Sequence, residues 1–493
     1  MKLFKLRGGV HPEGRKTLSA DTPIRALPLP KRLIVPLQQH IGAPASPVVA
    51  IGDCVKKGQL IATGQGTISA PVHAPTSGIV ADMGDYPAPH PSGLSVPSIV
   101  LDADGKDSWI YTETHEDPFS LSAEEIAQIV ARSGIVGLGG ATFPSAVKLG
   151  LSRSSGVHTL IVNGGECEPY LTCDDRIMRE RAAGIVEGIR LIAHAVDAKS
   201  ILVGIEDNKP DAIAAMRAAA AKSAVDVVSI PSMYPMGSEK QLIQVLTGSE
   251  IPASGRPADI GMLVHNVGTA FAVHEAVRYG RPLISRLVTV SGGAIKNPCN
   301  MEVLIGTPTQ ELIEFAGGYA KLPARIVLGG PMMGQQITNL AVPVIKGTSG
   351  LLALTCDEIG QAEPSPCIRC SSCVRACPVG LLPLEMAAHI RATDLPGALK
   401  LGLRDCISCG SCSYVCPAHI PLVHYFNFAK GELMDQERGR LKQEATKKLA
   451  DERISRMQRI ERERQEAAAK RKAAREARER AAKQAALQPT EAA

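Results

Sequence analysis

The chain is 493 residues long with 45% hydrophobic residues, enough for about three or four separately cored domains rather than one. Its net charge of +5 is small for that length and aromatic residues make up only 3%, which argues against nucleic acid as a partner. No uncharged apolar run approaches the roughly 18 residues of a membrane helix, and the basic start "MKLFKLRGGVHPEGRK" lacks the apolar stretch of a secretory signal. A cytoplasmic, reducing setting is therefore expected, where clustered cysteines hold metal more often than they form disulfides.

Residues 1–105 are rich in Pro, Gly and Val, with short apolar runs split by turn signals, which predicts β structure. Within them "VVAIGDCVKKGQLIATG" and "ISAPVHAPTSGIV" resemble the barrel-sandwich hybrid of biotinyl and lipoyl domains. Such domains carry a lysine at a hairpin tip. The segment "GQGTISAPVHAP", where that tip is expected, has none, so this module reads as structural, and His73 within it reads as a packed or solvent-facing histidine rather than a ligand.

Over 123–280 the texture changes to alternating helix and strand. "AEEIAQIVARSG" has helical apolar spacing, "VHTLIVNGG" reads as a buried strand, and "RAAGIVEGIRLIAHAV" as a helix before the strand "SILVGI". That alternation predicts a mainly parallel α/β sheet. The glycine-rich run "GLGGATFPSAVKLG", Gly137 to Gly150, places bare backbone before a helix, a geometry suited to phosphate. Residues 284–335 return to short strands and a helix and resemble the SLBB β-grasp module.

Over 360–430 the sequence holds two copies of C-x2-C-x2-C-x3-C-P, at Cys367, Cys370, Cys373, Cys377 and at Cys406, Cys409, Cys412, Cys416. This is the bacterial ferredoxin run, in which the fourth cysteine serves the other cluster. One [4Fe-4S] cluster is thus expected on Cys367, Cys370, Cys373 and Cys416, and a second on Cys406, Cys409, Cys412 and Cys377. Structural zinc is the alternative, but it takes separated C-x2-C pairs rather than three evenly spaced cysteines. The stretch between the ladders, "LLPLEMAAHIRATDLPGALKLGL", has helical periodicity, which suggests an α-helical dicluster ferredoxin. Residues 431–493 mix Arg, Lys, Glu and Ala without an apolar stripe, and read as a solvated helix or disordered tail.

Four ordered motifs, "GLGGATFPSAVKLG", "LIVNGGECEPYLTCDDR", "YPMGSEKQLIQVLTG" and "LVHNVGTAFAV", resemble those of the flavin and NADH subunit of respiratory complex I. With the modules on either side, the chain to about residue 430 resembles the C subunit of the Rnf (or Rsx) electron-transport complex. The resemblance implies that Gly137, Gly139 and Gly140 cradle the FMN phosphate, with Lys148 as countercharge and Phe143 against the dinucleotide. It implies that Asn163 and Asn266 hydrogen-bond the flavin, and that Glu166, Glu168 and Glu239 are the acidic, catalytic positions around flavin and nicotinamide. At Leu138, Gly165, Ser238, His265 and Gly268 the chain departs from the complex I pattern, losing charge and donors.

The expected fold is a multidomain α/β and α+β chain: barrel-sandwich hybrid, complex I flavoprotein-like domain, SLBB module, dicluster ferredoxin and charged tail. The implied function is a peripheral electron-transfer subunit on the cytoplasmic side of a bacterial inner membrane, linking NAD(H), FMN and two [4Fe-4S] clusters to ion translocation. Its implied partners are integral membrane and ferredoxin-like subunits. Two other readings stay open at this point, a soluble NADH-dependent iron–sulfur flavoprotein reductase and a flavin-less assembly scaffold.

Overall fold

A computed structural model describes residues 3–89, 93–140, 142–360 and 362–486. Small parts of the expected N-terminal module (1–2, 90–92), of the glycine run (Ala141), of the ferredoxin segment (Gln361) and of the tail (487–493) lie outside the described residues. The chain forms two compact units, 1–426 and 427–493.

The N-terminal part of the first unit is β, as its turn-split apolar runs require. Strands Arg32–Pro36, Ser95–Ala103, Gly78–Pro87 and Cys54–Val55 make one antiparallel sheet, and the short strands Ser46–Pro47, Leu60–Thr63 and Val72–His73 make another. Their inward residues, among them Leu33, Val35, Ile61, Val80, Ile99 and Leu101, have no exposed surface. His73 is buried, with Nδ1 unpartnered among the described residues.

Next comes the α/β part: α1 (Ala123–Arg132), α2 (Ser145–Ser154), β1 (Thr159–Gly164), α3 (Cys173–Glu180), α4 (Ala182–Val196), β2 (Ser200–Glu206), α5 (Pro210–Ala220), β3 (Val225–Ile230), α6 (Glu239–Thr247), β4 (Met262–Asn266) and α7 (Val267–Tyr279). Ser122 and Glu125 close a capping box at the start of α1, whose Ile126, Ile129 and Val130 turn inward. The four strands are parallel in the order β3-β2-β1-β4. "LIV" in β1 is apolar throughout because both faces are covered: Leu160 and Val162 pack with Ile185 and Ile189 of α4, Ile161 with Leu242 and Ile243 of α6. Truncating Leu160 to Ala would cost about 2–5 kcal/mol.

A mixed six-stranded sheet follows, in the order Arg25–Ala26, Cys299–Leu304, Ser285–Ser291, Gly350–Leu354, Arg325–Leu328, Gln335–Ile337, with helix Thr309–Phe315 beside it. Its edge strand at Arg25 comes from the N-terminal region and its inner strand at Gly350 from beyond residue 335, so the small module shares its sheet with distant chain. Between the cysteine ladders the single periodic stretch becomes two helices, Pro383–Arg391 and Leu395–Lys400. Thr393 turns to φ 59° and Asp394 caps the second helix at Gly397 N, so periodicity continues while the helix does not.

The second unit is one helix, exposed along most of its length beyond Ala429, and part of the element Leu422–Ala485, in which Gly431 is an interior residue. Pairs such as Arg475 with Glu479, 2.9 Å apart, run along its surface. Among the described residues no helix is long and apolar enough to cross a membrane.

Candidate functional site

The strand order β3-β2-β1-β4 places the reversal of winding between β1 and β4, and ligands of open α/β sheets bind in the crevice beyond the strand C-termini at such a point. Asn163 lies near the end of β1, Asn266 ends β4, and the two are register partners. Asn163 accepts from Gly165 N at 2.9 Å and donates to Gly237 O at 2.7 Å. Asn266 caps α7, accepting from Gly268 N at 2.8 Å while donating to Asp174 at 2.6 Å. The glycine run closes over this end: a Cβ on Gly139 would stand 3.1 Å from that of Asn266, and Gly137 N donates to Phe143 O at 2.8 Å. Phe143 itself is half-buried.

The residues present fit an anionic cofactor. Gly140 has φ 133°, open to glycine alone, and a Cβ there would meet nothing within 4 Å, so the turn offers bare backbone to open space. In the first turn of α2, just after it, Ser145 Oγ is buried without a partner among the described residues. A cavity of about 370 Å³ meets this region only at Leu138, Asp174, Gly268 and Arg286; the rest of its lining includes Leu27, Trp109 and Glu302, and Gly140, Ser145, Asn163 and Asn266 are not part of it.

The acidic positions take distinct places. Glu239, at the start of α6, receives Lys148 Nζ at 3.1 Å, and the same ammonium reaches Val264 O at 3.1 Å. Glu166, at φ 51°, accepts from Asp174 N and Asp175 N and so caps α3. Burial and the charge of Glu166 push the Asp174 carboxyl up. Glu168 turns away toward the six-stranded sheet, accepting from Met332 N at 3.0 Å and Met333 N at 2.9 Å, and burial raises it to about 7.

Three cations at the site carried no signal within the motifs. Lys16 donates to the carbonyls of Glu166, Glu168 and Leu171 at 2.6–2.9 Å, and Lys209 donates to Gly165 O at 2.7 Å and to Glu206 at 2.8 Å. Together they hold the acidic loop from below. Arg286, buried in the six-stranded sheet, donates to Leu138 O at 3.2 Å and stands near Asp174. Positive charge thus enters the site from another module although Leu138 itself brings none. At Gly165, another departure, a Cβ would lie 3.0 Å from Asn163 Oδ1 and 3.2 Å from Gly237 Cα, so a side chain there would be tightly packed and its neighbours would have to give by a few tenths of an ångström.

Cys377, Cys406, Cys409 and Cys412 line one small cavity, and Cys367, Cys370, Cys373 and Cys416 line a second. Burial and the sulfurs of Cys409, Cys406 and Cys377 push the Cys412 thiol up to about 12. The sequence repeat is also a backbone repeat. Arg369 and Ser408 share φ 55°, and Ser371 (59°) and Gly410 (77°) are likewise left-handed. Arg369 N donates to Cys367 Sγ and Ser408 N to Cys406 Sγ, each at 3.4 Å. Alternating left-handed residues turn N–H groups inward and form nests for anions, which suits an iron–sulfur cluster bearing thiolates. Four thiols per cavity are the donor set of a cubane.

Residues 4–106 match the RnfC barrel sandwich hybrid domain family, 130–275 the Nuo51 FMN-binding domain, 287–336 the SLBB domain and 366–420 the 4Fe-4S dicluster domain. The chain is 53% identical over 89% of its length, and 85% of the relative's, to the C subunit of the ion-translocating oxidoreductase complex of Rhodobacter capsulatus. It is 46% identical over 87% of its length, and 94% of the relative's, to the C subunit of the proton-translocating ferredoxin:NAD(+) oxidoreductase complex of Clostridium ljungdahlii. Of solved structures, an NAD+-reducing [NiFe]-hydrogenase in the H2-reduced state aligns over 66% of this chain and 63% of its own, at 19% identity and TM-score 0.46.

Proposed function

The chain belongs to the family of C subunits of ion-translocating oxidoreductase complexes, and from that premise we propose that it moves electrons between NAD(H) and the ferredoxin-like and integral membrane subunits of such a complex. It is an oxidoreductase subunit with FMN-binding and 4Fe-4S dicluster domains. Bound FMN exchanges two electrons with a nicotinamide and single electrons with [4Fe-4S] clusters. The glycine turn, Ser145 and the first turn of α2 would hold the phosphate, and Asn163, Asn266 and Phe143 the ring side of the site. Lys148 and Arg286 supply positive charge; Glu166, Glu168 and Glu239 fix the loop and helix ends that frame the crevice. The eight ladder cysteines would hold two clusters in crossed sets. A peripheral place at the cytoplasmic face of the membrane, with the ion path in the partner subunits, completes the reading.

The observation that carries this reading is the presence, in one folded unit, of the switch-point crevice and two separate four-thiol cavities. Anaerobic purification tests it. About eight irons and one FMN per chain are expected, with flavin and cluster absorbance bleaching on addition of NADH. Cys377→Ser should halve the iron and remove the cluster of the Cys406 ladder. Four or fewer irons in the unmodified chain, or zinc in their place, would sink the cluster assignment, and absence of FMN would favour a scaffold.

A further inference from the structure

The two thiol cavities differ in their surroundings. At the first, Cys377, Cys409 and Cys412 are each 7–8% exposed; at the second, Cys367 and Cys370 are open to solvent. Contacts from the α/β part gather at the first. Tyr234, 2% exposed, donates its hydroxyl to Cys409 O at 2.6 Å. Gln241, in α6, donates to Pro378 O at 3.4 Å, and Ser254 N donates to Asp405 at 2.9 Å. The N-terminal arm joins the same junction: Val10 exchanges two backbone hydrogen bonds with Tyr234, and Gly9 N donates to Ala376 O at 3.0 Å. The bonds from Tyr234, Gln241, Ser254 and Gly9 each end at or beside Cys377, Cys406 or Cys409.

Toward the crevice the packing is continuous. Tyr234, Val10, Ala376 and Cys409 form one apolar cluster against which Cys167 packs. A Cβ on Gly237 would stand 3.0 Å from Cys167 Sγ, and Gly237 O accepts from Asn163 at 2.7 Å. The chain of contact therefore runs Asn163, Gly237, Cys167, Tyr234, Cys409.

We propose that Tyr234 is a positioning residue that seats the cluster site of Cys377, Cys406, Cys409 and Cys412 against the flavin crevice, making it the inner station. The open site of Cys367, Cys370, Cys373 and Cys416 is then the outer one. This rests on the reading of two clusters and a flavin given above. The phenol fixes the carbonyl of a ligand-bearing residue, so its loss changes the dipoles around one cluster and not the other.

The test is an EPR-monitored reductive titration of the full anaerobic chain. Cys412→Ser and Cys373→Ser first assign the two cluster signals by the one each abolishes. Tyr234→Phe is then expected to shift the midpoint of the Cys412-dependent signal while leaving the Cys373-dependent signal and the FMN content unchanged. An unmoved inner signal, or a shift confined to the outer one, overturns the proposal. Should Tyr234→Phe fail to fold, Gln241→Leu removes a second tie to the same site and is read by the same shift, with the same outcomes deciding. Absence of both cluster signals from the unmodified chain would instead overturn the cluster reading, and this proposal with it.

Discussion

Lys346 shows how much chemistry a single residue can hold without belonging to a motif. It is 1% exposed and donates to Pro71 O at 2.8 Å and Gly134 O at 2.7 Å, so one ammonium ties the barrel-sandwich part to the loop after α1. Burial lowers it to about 7, and its nearness helps keep His73 neutral. Between about pH 7 and the ordinary lysine value the unfolded chain holds a proton that the folded chain has released. Stability therefore rises with pH across that window, by at most about 1.4 kcal/mol per unit from this group. Denaturant titrations from pH 7 to 9 should show the unmodified chain gaining on Lys346→Met as pH increases. Parallel curves would mean that Lys346 is not held in this way.

At the level of elements, the crevice depends on how helices begin. Asn266 is at once the end of β4, the cap of α7 and the hydrogen-bond partner of Asp174, whereas Glu166 caps α3 from the acidic loop. Asn266→Ala removes a cap worth about 1 kcal/mol and leaves Asp174 without its amide partner. A lower melting temperature together with weaker FMN retention is the expected result; if melting falls while flavin binding stays intact, Asn266 serves the helix alone. The cysteine ladders behave as elements too. Their matched left-handed residues at Arg369 and Ser408 reproduce one anion nest twice, so the repeat in letters becomes a repeat in backbone.

For the whole molecule, the division into units makes its own prediction. Residues 427–493 fall outside the unit that contains the crevice and both thiol cavities. A chain ended at Lys430 should keep its iron and flavin content, measured by metal analysis and flavin fluorescence; loss of either would give the helical tail a part in building the sites. Within the first unit, shared sheets and long-range lysine ties bind the modules together, with Lys16 reaching the acidic loop over 150 residues of sequence.

Periodicity and spacing were enough to disclose the parallel α/β alternation, the β-rich start, the cysteine ladders and the glycine turn. These are local patterns, and each element's residues carry them entire. The same signals could not reveal Lys16, Lys209 or Arg286 as parts of the site, nor that Tyr234, the first residue of a recognised motif, reaches the cysteine ladder, because each acts on a carbonyl far away in the chain. Nor could periodicity show where the inter-ladder helix breaks, since Asp394 caps a new helix without interrupting the apolar spacing. Folding settled three further matters: positive charge reaches the crevice from the neighbouring sheet, Gly165 sits in tight packing against Asn163 and Gly237, and three thiols of one cavity are buried while two of the other face solvent. Those outcomes depend on which distant segments meet, and burial and charge pairing follow from that meeting.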